Sequence, residues 1–177
     1  MSFKNILCFG TLNPDLIYFV DELPNKGDDI RSLKSSIRPG GTAINCSELI
    51  SLWDKSVHIR GNSIGSDPMG NYLIDYMKEN NIKFDGLIID QSVTPTCSIF
   101  VDSSGERTIV SSGYEGLEWS NFENLNNFDS LIIDRYSIKF VKDKLKDLKK
   151  DNNLFVCQAV YEYEIDYKLD FLIVSKD

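Results

Sequence analysis

Arg38-Pro39-Gly40-Gly41-Thr42-Ala43-Ile44-Asn45 places two adjacent glycines between a predicted strand and a predicted helix. Glycine has no Cβ, so the chain can turn sharply there and a ligand can approach the backbone closely. We expect the helix that follows to direct its unpaired N–H groups at the turn. Asn45 lies one turn into that helix, so its amide can face the same spot. A glycine pair before a helix is more often only a tight turn, so ligand binding needs support from other motifs.

Length and composition indicate a soluble globular protein that forms one ordinary domain or one large lobe of a bigger domain. The chain has 177 residues, of which 42% are hydrophobic and 26% are charged, as is typical of a globular protein. A chain of this length can bury a core without disulfides or metals. The formal net charge of -8 argues against a nucleic-acid partner, which requires a basic face. Neither a signal sequence nor a bilayer-spanning apolar run is evident, so we expect a cytoplasmic protein with no membrane partner.

The cysteines and the single histidine do not suggest a catalytic or metal site. Cys8, Cys46, Cys97 and Cys157 lie in apolar stretches and form no C-x-x-C pair. This pattern favours buried, reduced thiols over a disulfide framework or a zinc site. His58 lies in a strand-like segment, where a structural or surface role is commoner than catalysis. No residue is therefore assigned as a metal ligand.

Apolar runs typical of buried strands alternate with amphipathic helices along the chain. The predicted core strands are Asn5–Gly10, Val57–Gly61, Leu131–Ile133, Leu154–Val156 and Phe171–Val174. Helices are predicted over about 42–53, from Asp67-Pro68 onward, and over 139–150. The residues predicted to form the buried face of the first helix are Ala43, Cys46, Leu49, Ile50 and Trp53. This alternation predicts an α/β doubly wound sheet, in which ligands bind beyond the carboxyl ends of the strands.

Two insertions with alternating, half-exposed strands interrupt the predicted sheet. Their strands lie within 12–38, including Ile30–Ile37, and within 95–112, where Asp102–Gly105 is a hairpin turn signal. A small β-sheet over the mouth of an α/β site would act as a lid.

Polar residues that could bind a ligand follow the first strand, lie in the first helix and occur on the predicted lid hairpin. Asp15 follows the first strand, and its two oxygens can accept hydrogen bonds from two neighbouring hydroxyls. Asn13 can do similar work or only shape the turn before Pro14. Together, Asp15 and Asn45 would grip a sugar through charge-assisted and amide hydrogen bonds. Arg107, on the predicted lid hairpin, can neutralise a phosphate, although a lone arginine on a strand is more often a surface residue.

Five short motifs, taken together and in order, resemble the PfkB family of ribokinase-like carbohydrate kinases. They are Asn13-x-Asp15, Gly40-Gly41-x-Ala43-x-Asn45, Gly65-x-Asp67-x-x-Gly70, Thr94-Pro95-Thr96 and Gly105-Glu106-Arg107-Thr108. Helix capping by Asp67 is the simplest account of the third motif. Segments such as Glu106–Val110 resemble the ketohexokinase branch in particular. The resemblance runs from Ile6 to Asp177 and is confined to the N-terminal substrate lobe and lid of that family, so residues 1–177 would form a single lobe.

The resemblance implies a ribokinase-like fold and transfer of the ATP γ-phosphate, with Mg²⁺, to a hydroxyl of a sugar, here a ketohexose such as fructose. The substrate-binding residues it implies are Asn13, Asp15, Gly40, Gly41, Thr42 and Asn45. It also implies that Arg107 touches the phosphates of the nucleotide, and that the lid builds a homodimer. A nucleoside kinase and a non-catalytic sugar-binding or dimerising fragment are the alternatives.

The sequence departs from the family pattern in two respects. Thr42 stands where ketohexokinases have asparagine, and a hydroxyl has less reach than an amide, which leaves the identity of the sugar open. The Gly-Ala-Gly-Asp segment that carries the family's catalytic aspartate is missing. We therefore expect the catalytic base to lie beyond Asp177, the C-terminal ATP-binding portion to be absent, and this chain alone to be inactive. Asp15 is expected to hold hydroxyls rather than to act as the base.

Overall fold

The computed structural model describes residues 4–53, 55–152, 155–159 and 170–173. A 3₁₀ turn, Leu125–Asn127, lies shortly before the strand that begins at Ser130. The helices and strands, in chain order, are β1 (Asn5–Gly10), β2 (Asn13–Phe19), β3 (Lys34–Gly40), α1 (Thr42–Ser51), β4 (Ser56–Gly61), β5 (Ile64–Gly65), α2 (Pro68–Glu79), β6 (Ile89–Asp90), β7 (Thr96–Val101), β8 (Arg107–Ser112), β9 (Ser130–Asp134), α3 (Ile138–Asn152), β10 (Phe155–Ala159) and β11 (Phe171–Ile173).

Five parallel strands form the central sheet, in the order β11-β10-β9-β1-β4. From β1 the chain leads through α1 to β4 on one side, and it later returns to β9 on the other side of β1. The strand order therefore reverses between β1 and β9. Open α/β sheets bind ligands at such a reversal, beyond the carboxyl ends of the strands. Gly10 and Asp134, the last residues of β1 and β9, flank this point.

Helices cover both faces of the central sheet, and the alternation of side chains along β1 divides the core between them. Ile6 and Cys8 belong to the apolar cluster that includes residues of α1 and α2. Leu7 and Phe9 belong to the cluster that includes residues of α3. This arrangement is the doubly wound sheet predicted from the sequence. In the described part of the chain, no helix is both long enough and apolar enough to cross a membrane.

A second, four-stranded sheet lies in the order β3-β2-β7-β8, and we call it the lid sheet. Its strands match the predicted lid segments except β3, which was predicted over Ile30–Ile37 and is found over Lys34–Gly40. The reason is pairing, because β3 is antiparallel to β2 along its whole length, from Asn13 opposite Gly40 to Phe19 opposite Lys34. The glycine pair is thereby fixed beside the start of β2.

The prediction for the buried face of α1 was wrong in part. Leu49 and Trp53 are 60% and 68% exposed. Ala43 and Ile50 are buried as predicted, and Ile44 and Ser47 complete the buried face of the helix. Trp53 lies beyond the last helical residue, Ser51. Apolar residues are spread widely around this helix, so spacing alone did not identify the stripe that meets the sheet.

Other sequence predictions fall near the limits of the described residues. In α3, Val141 is buried as its spacing predicts, whereas Phe140 is 40% exposed. Leu154 and Val174 were predicted as strand residues, and both lie outside the described residues. The side chain of Leu148, predicted on the apolar face of α3, also lies outside the described part.

Two of the five motifs hold each other in place. Asp67 is the N-cap of α2, and its Oδ1 accepts hydrogen bonds from the Gly70 N–H at 2.8 Å and the Thr94 hydroxyl at 2.7 Å. Its Oδ2 accepts a hydrogen bond from the Thr94 N–H at 2.8 Å. Although burial opposes them, these hydrogen bonds lower the pKa of Asp67 below its usual range. The capping role predicted for Asp67 is therefore what the structure shows.

Asp134 joins the ends of β1 and β9. Its carboxylate is buried, and Oδ2 accepts hydrogen bonds from the Thr11 N–H at 2.8 Å and the Thr11 hydroxyl at 3.0 Å. Oδ1 accepts from the N–H groups of Tyr136 at 3.0 Å and Ser137 at 2.7 Å. Each oxygen thus has two donors, which satisfies a carboxylate removed from water.

Thr11 also caps α1, a pairing between distant segments that the sequence analysis did not foresee. Its Oγ1 accepts a hydrogen bond from the Thr42 N–H at 3.1 Å, and its carbonyl oxygen accepts one from the Ala43 N–H at 3.1 Å. The expectation that the first N–H groups of this helix would be unpaired was therefore wrong for these two. Gly41 has a φ of +85°, and a Cβ there would collide with the Thr11 carbonyl oxygen. Both its conformation and its surroundings therefore require glycine.

We expect Gly41→Ala to reduce the free energy of unfolding by about 2 kcal/mol more than Gly105→Ala does. Both residues have a positive φ, +85° at Gly41 and +86° at Gly105, so an alanine is conformationally strained at either position by about 1–2 kcal/mol or more. A Cβ at Gly105 meets nothing within 4 Å, whereas one at Gly41 must displace Thr11 and weaken two capping hydrogen bonds of about 1 kcal/mol each. Urea unfolding followed by circular dichroism measures both variants, and equal losses would contradict the steric argument.

Candidate functional site

The candidate site lies where the lid sheet meets the glycine pair at the start of α1. Asp15 was predicted in a loop after β1, but it is the third residue of β2 and belongs to the lid sheet. A Cβ at Gly40 would collide with the Asp15 carboxylate, and one at Gly41 would lie 2.9 Å from Asn13 Oδ1. Two pairs of predicted substrate-binding residues, Gly40 with Asp15 and Gly41 with Asn13, are thus close together although 25 and 28 positions separate them.

The Asn13 side chain is committed to contacts within the protein. It is only 2% exposed, and its Nδ2 donates hydrogen bonds to Asp15 Oδ1 at 2.6 Å and to the Pro14 carbonyl oxygen at 3.2 Å. Its Oδ1 accepts a hydrogen bond from the Tyr114 hydroxyl at 2.8 Å. The described contacts therefore use both donors of the amide, and they orient it toward the carboxylate of Asp15.

The Asp15 carboxylate is held half-buried against an energetic cost. Burial raises its pKa above the usual aspartate range, and the hydrogen bond from Asn13 and the charge of Arg107 only partly oppose this shift. Within the described ranges, Asp15 forms no ion pair, and Oδ1 is its only oxygen that accepts a hydrogen bond. The carboxylate lies beside Gly40, and Oδ2 accepts no hydrogen bond from the described residues.

Thr42 and Asn45 extend the site along α1. Thr42 is the first helical residue, directly after Gly41, and its side chain is half-buried. Asn45 follows three residues later, so it lies on the same side of the helix. Its backbone N–H donates to the Gly41 carbonyl oxygen at 3.0 Å, and its amide side chain is exposed. No hydrogen bond between described atoms joins Asn45 directly to Asp15.

Arg107 lies at the exposed start of β8, on the Asp15 face of the lid sheet. Asp15 pairs with Cys97, and Cys97 with Ser111; Arg107 precedes Ser111 by four residues, an even number that keeps it on the same face. Its charge favours the ionised form of Asp15. No three His, Cys, Asp or Glu side chains within the described segments are grouped closely enough to hold a metal ion.

Three residues of this region were missed in the sequence analysis. Asp134 ends an apolar strand, the same signal that singled out Asp15 after β1, so it could have been found. Thr11 carried no signal, because its role depends on a helix 31 residues away. Tyr114 follows Gly113, whose φ of +78° turns the chain after β8. Its contact with Asn13 spans 101 positions, and no local pattern could have revealed it.

The chain is similar in sequence to known carbohydrate kinases. The pfkB family carbohydrate kinase profile matches residues 4–156. The ribokinase of Dictyostelium discoideum is 28% identical over 175 residues, which cover 98% of this chain and 48% of that protein. The ketohexokinase of Mus musculus is 30% identical over 112 residues, which cover 62% of this chain and 37% of that protein. This chain thus spans about half or less of the length of these relatives.

Solved structures show the same fold. The ribokinase of Arabidopsis thaliana, complexed with ribose and ATP, superposes with a TM-score of 0.75 at 16% identity, covering 98% of this chain and 60% of that one. The ribokinase-like α/β fold predicted from the sequence is therefore confirmed. Since the family profile matches most of the chain, the protein belongs to the pfkB family of carbohydrate kinases.

Proposed function

We propose that this chain is the sugar-binding part of an ATP-dependent sugar kinase whose acceptor is a ketohexose such as fructose. The observation that carries the proposal is the Asp15 carboxylate, which is half-buried without an ion pair among the described residues. One of its oxygens is fixed by Asn13, and the other lies beside Gly40. Burying a carboxylate is unfavourable, and perturbed groups of this kind concentrate at functional sites.

A sugar suits the chemistry of this site. Ionised Asp15 is a pure acceptor, so it can take hydrogen bonds from hydroxyls on adjoining carbons. The glycine pair has no side chains and lets a sugar ring approach the backbone. Asn45 offers an exposed amide on the next turn of α1, which can donate to or accept from a further hydroxyl. These groups together provide polar contacts for several hydroxyls of one molecule.

Ribose is the second candidate acceptor, because a ribokinase matches 98% of this chain whereas the ketohexokinase matches 62%. Thr42 is the residue most suited to discriminate between the two sugars. Its hydroxyl stands directly after the glycine pair and reaches less far than the asparagine of the ketohexokinase pattern.

For the nucleotide, the proposal names a single contact residue. Arg107 is the only residue here for which the family resemblance implies contact with ATP phosphates, and its charge acts on the same face of the lid sheet as Asp15. We expect this chain to bind a sugar but not to transfer phosphate when ATP and Mg²⁺ are added, because it contains no Gly-Ala-Gly-Asp segment.

The proposal is tested first by calorimetric titration of the purified chain with fructose, ribose and adenosine. We expect binding of a free sugar and a loss of affinity of about tenfold or more in Asp15→Asn, since a hydrogen bond to a charged group contributes about 1.5–3 kcal/mol. Thermal unfolding of Asp15→Asn should be unchanged or shifted upward, because the variant no longer buries a charge. Asp75→Asn, at an exposed position of α2, is the matched control. Equal sugar affinity in Asp15→Asn would remove Asp15 from the site.

We expect sugar affinity to fall on acidification from about pH 7 to about pH 4, with a midpoint above the usual aspartate range. Hydroxyls donate more strongly to the ionised carboxylate, which is lost as pH falls through the raised pKa of Asp15. The contribution of Asp15 to folding has the opposite sign, because a raised pKa means that folding favours the protonated form. Titrations of Asp15→Asn should be nearly independent of pH over this range. The same acid dependence in that variant would assign the effect to another group.

A homodimer through the lid sheet is the final part of the proposal. Ile37 and Val110 occupy one crosswise row of the sheet, on the face opposite Asp15, and are 50% and 56% exposed. Burial of this row between two copies would be favourable. Analytical ultracentrifugation should detect a dimer that Val110→Glu weakens at least tenfold. A dimer unaffected by this substitution, or a monomer at all concentrations, would contradict the lid interface.

A further inference from the structure

We propose that Tyr114 is a positioning residue for the sugar-binding carboxylate, because its hydroxyl orients the Asn13 amide that holds Asp15. The inference rests on the proposed function only in assigning Asp15 to the sugar. Tyr114 lies outside the five motifs that relate the chain to its family.

Two short hydrogen bonds in series connect these residues. The Tyr114 hydroxyl donates to Asn13 Oδ1 at 2.8 Å, and Asn13 Nδ2 donates to Asp15 Oδ1 at 2.6 Å. The series begins in the segment after β8 and ends on β2, so it links two separate parts of the chain across the site. Asn13, the middle member, is almost fully buried. Water therefore cannot readily replace either hydrogen bond.

The direction of the series follows from the chemistry of its members. An ionised carboxylate only accepts hydrogen bonds, so Asn13 must turn its Nδ2 toward Asp15 and its Oδ1 away. The carboxylate thereby selects the orientation of the amide, and the neutral Tyr114 phenol supports that orientation by donating to the buried Oδ1. Burial raises the pKa of Tyr114, with contributions from Cys97 and Asp15, so the phenol stays protonated at neutral pH.

The other side chains near these two hydrogen bonds do not donate to Asn13 Oδ1 in the described contacts. Cys97 Sγ lies 3.8 Å from the Tyr114 hydroxyl and 3.3 Å from the Ser111 hydroxyl, and neither contact reaches Asn13. Tyr136 raises the pKa of Tyr114, and Arg107 acts on Asp15 rather than on the amide. In the described contacts, Tyr114 is the only side chain that donates to Asn13 Oδ1.

Removing the hydroxyl should change Asp15 even in the absence of sugar. In Tyr114→Phe, Asn13 Oδ1 loses its donor while remaining buried. The amide is then held less firmly, so its hydrogen bond to Asp15 weakens and the ionised carboxylate loses part of its stabilisation, which favours protonation. A purely structural tie between the β8 segment and β2 would affect stability without shifting this titration.

The experiment follows the ¹³C chemical shift of the Asp15 carboxyl group through a pH titration of the labelled chain, with fructose affinity measured alongside. In Tyr114→Phe we expect a higher titration midpoint for Asp15 and an affinity about three- to tenfold lower. Tyr18→Phe is the matched control, because Tyr18 stacks on Phe100 of the lid sheet at 5.4 Å between ring centroids and no described hydrogen bond uses its hydroxyl. It should change neither quantity.

A double-substitution cycle supplies the second readout. If Tyr114 acts through Asp15, Tyr114→Phe should cause little further loss of fructose affinity in the Asp15→Asn background. An unchanged Asp15 titration in Tyr114→Phe would overturn the positioning role whatever the chain binds. Additive losses in the cycle would also overturn it. A shifted titration in a chain that binds neither fructose nor ribose would instead overturn the proposed function, and with it the role of Tyr114 toward a sugar.

Discussion

The hydrogen bonds of Thr11 are the interaction on which the rest of the site depends. Its N–H and hydroxyl donate to the buried Asp134, which fixes the end of β1 to the end of β9. Its hydroxyl oxygen and carbonyl oxygen accept the first N–H groups of α1. A helix start buried without such partners would leave unpaired donors, each a cost of about 1–3 kcal/mol. The position of α1, and of the glycine pair before it, therefore follows from one threonine at the point where the strand order reverses.

The close fit between Thr11 and Gly41 has a consequence for the lid sheet. Because α1 is held against the first loop, Gly40 lies at the end of β3 directly beside Asp15 of β2. The carboxylate is then half-buried in a place where the scaffold provides one hydrogen bond and no ion pair from the described residues. The buried carboxylate of Asp134, by contrast, accepts hydrogen bonds from four donors. Asp134 thus serves the fold, whereas Asp15 keeps an oxygen without a described hydrogen bond, as the proposed sugar site requires.

The sequence was sufficient where the controlling forces are local. Alternating strands and helices, the Asp67-Pro68 helix start and the hairpin turn of Asp102–Gly105 follow from spacing, capping and turn chemistry, and all were predicted. Predictions failed where distant segments decide the outcome. The exposure of Leu49 depends on which side of α1 meets the sheet, and two N–H groups of α1 are paired by a residue from another loop. The contact of Tyr114 with Asn13 is of the same kind, since it exists only once the lid sheet has formed.

The five motifs differ in physical role, because some stabilise the fold and others contribute residues to the candidate site. Asp67 and Thr94 bind each other and stabilise the start of α2, so two motifs report the scaffold rather than the ligand. Asp15 and the glycine pair are the residues of the candidate site that belong to the family motifs. The residues proposed to influence sugar binding at this part of the site lie at positions that the motifs leave unspecified, as Thr42 does within the glycine motif, or outside the motifs altogether, as Tyr114 does. If Asp15 binds the sugar as proposed, a preference for one sugar over another is expected to arise from the residues around the carboxylate rather than from the carboxylate itself.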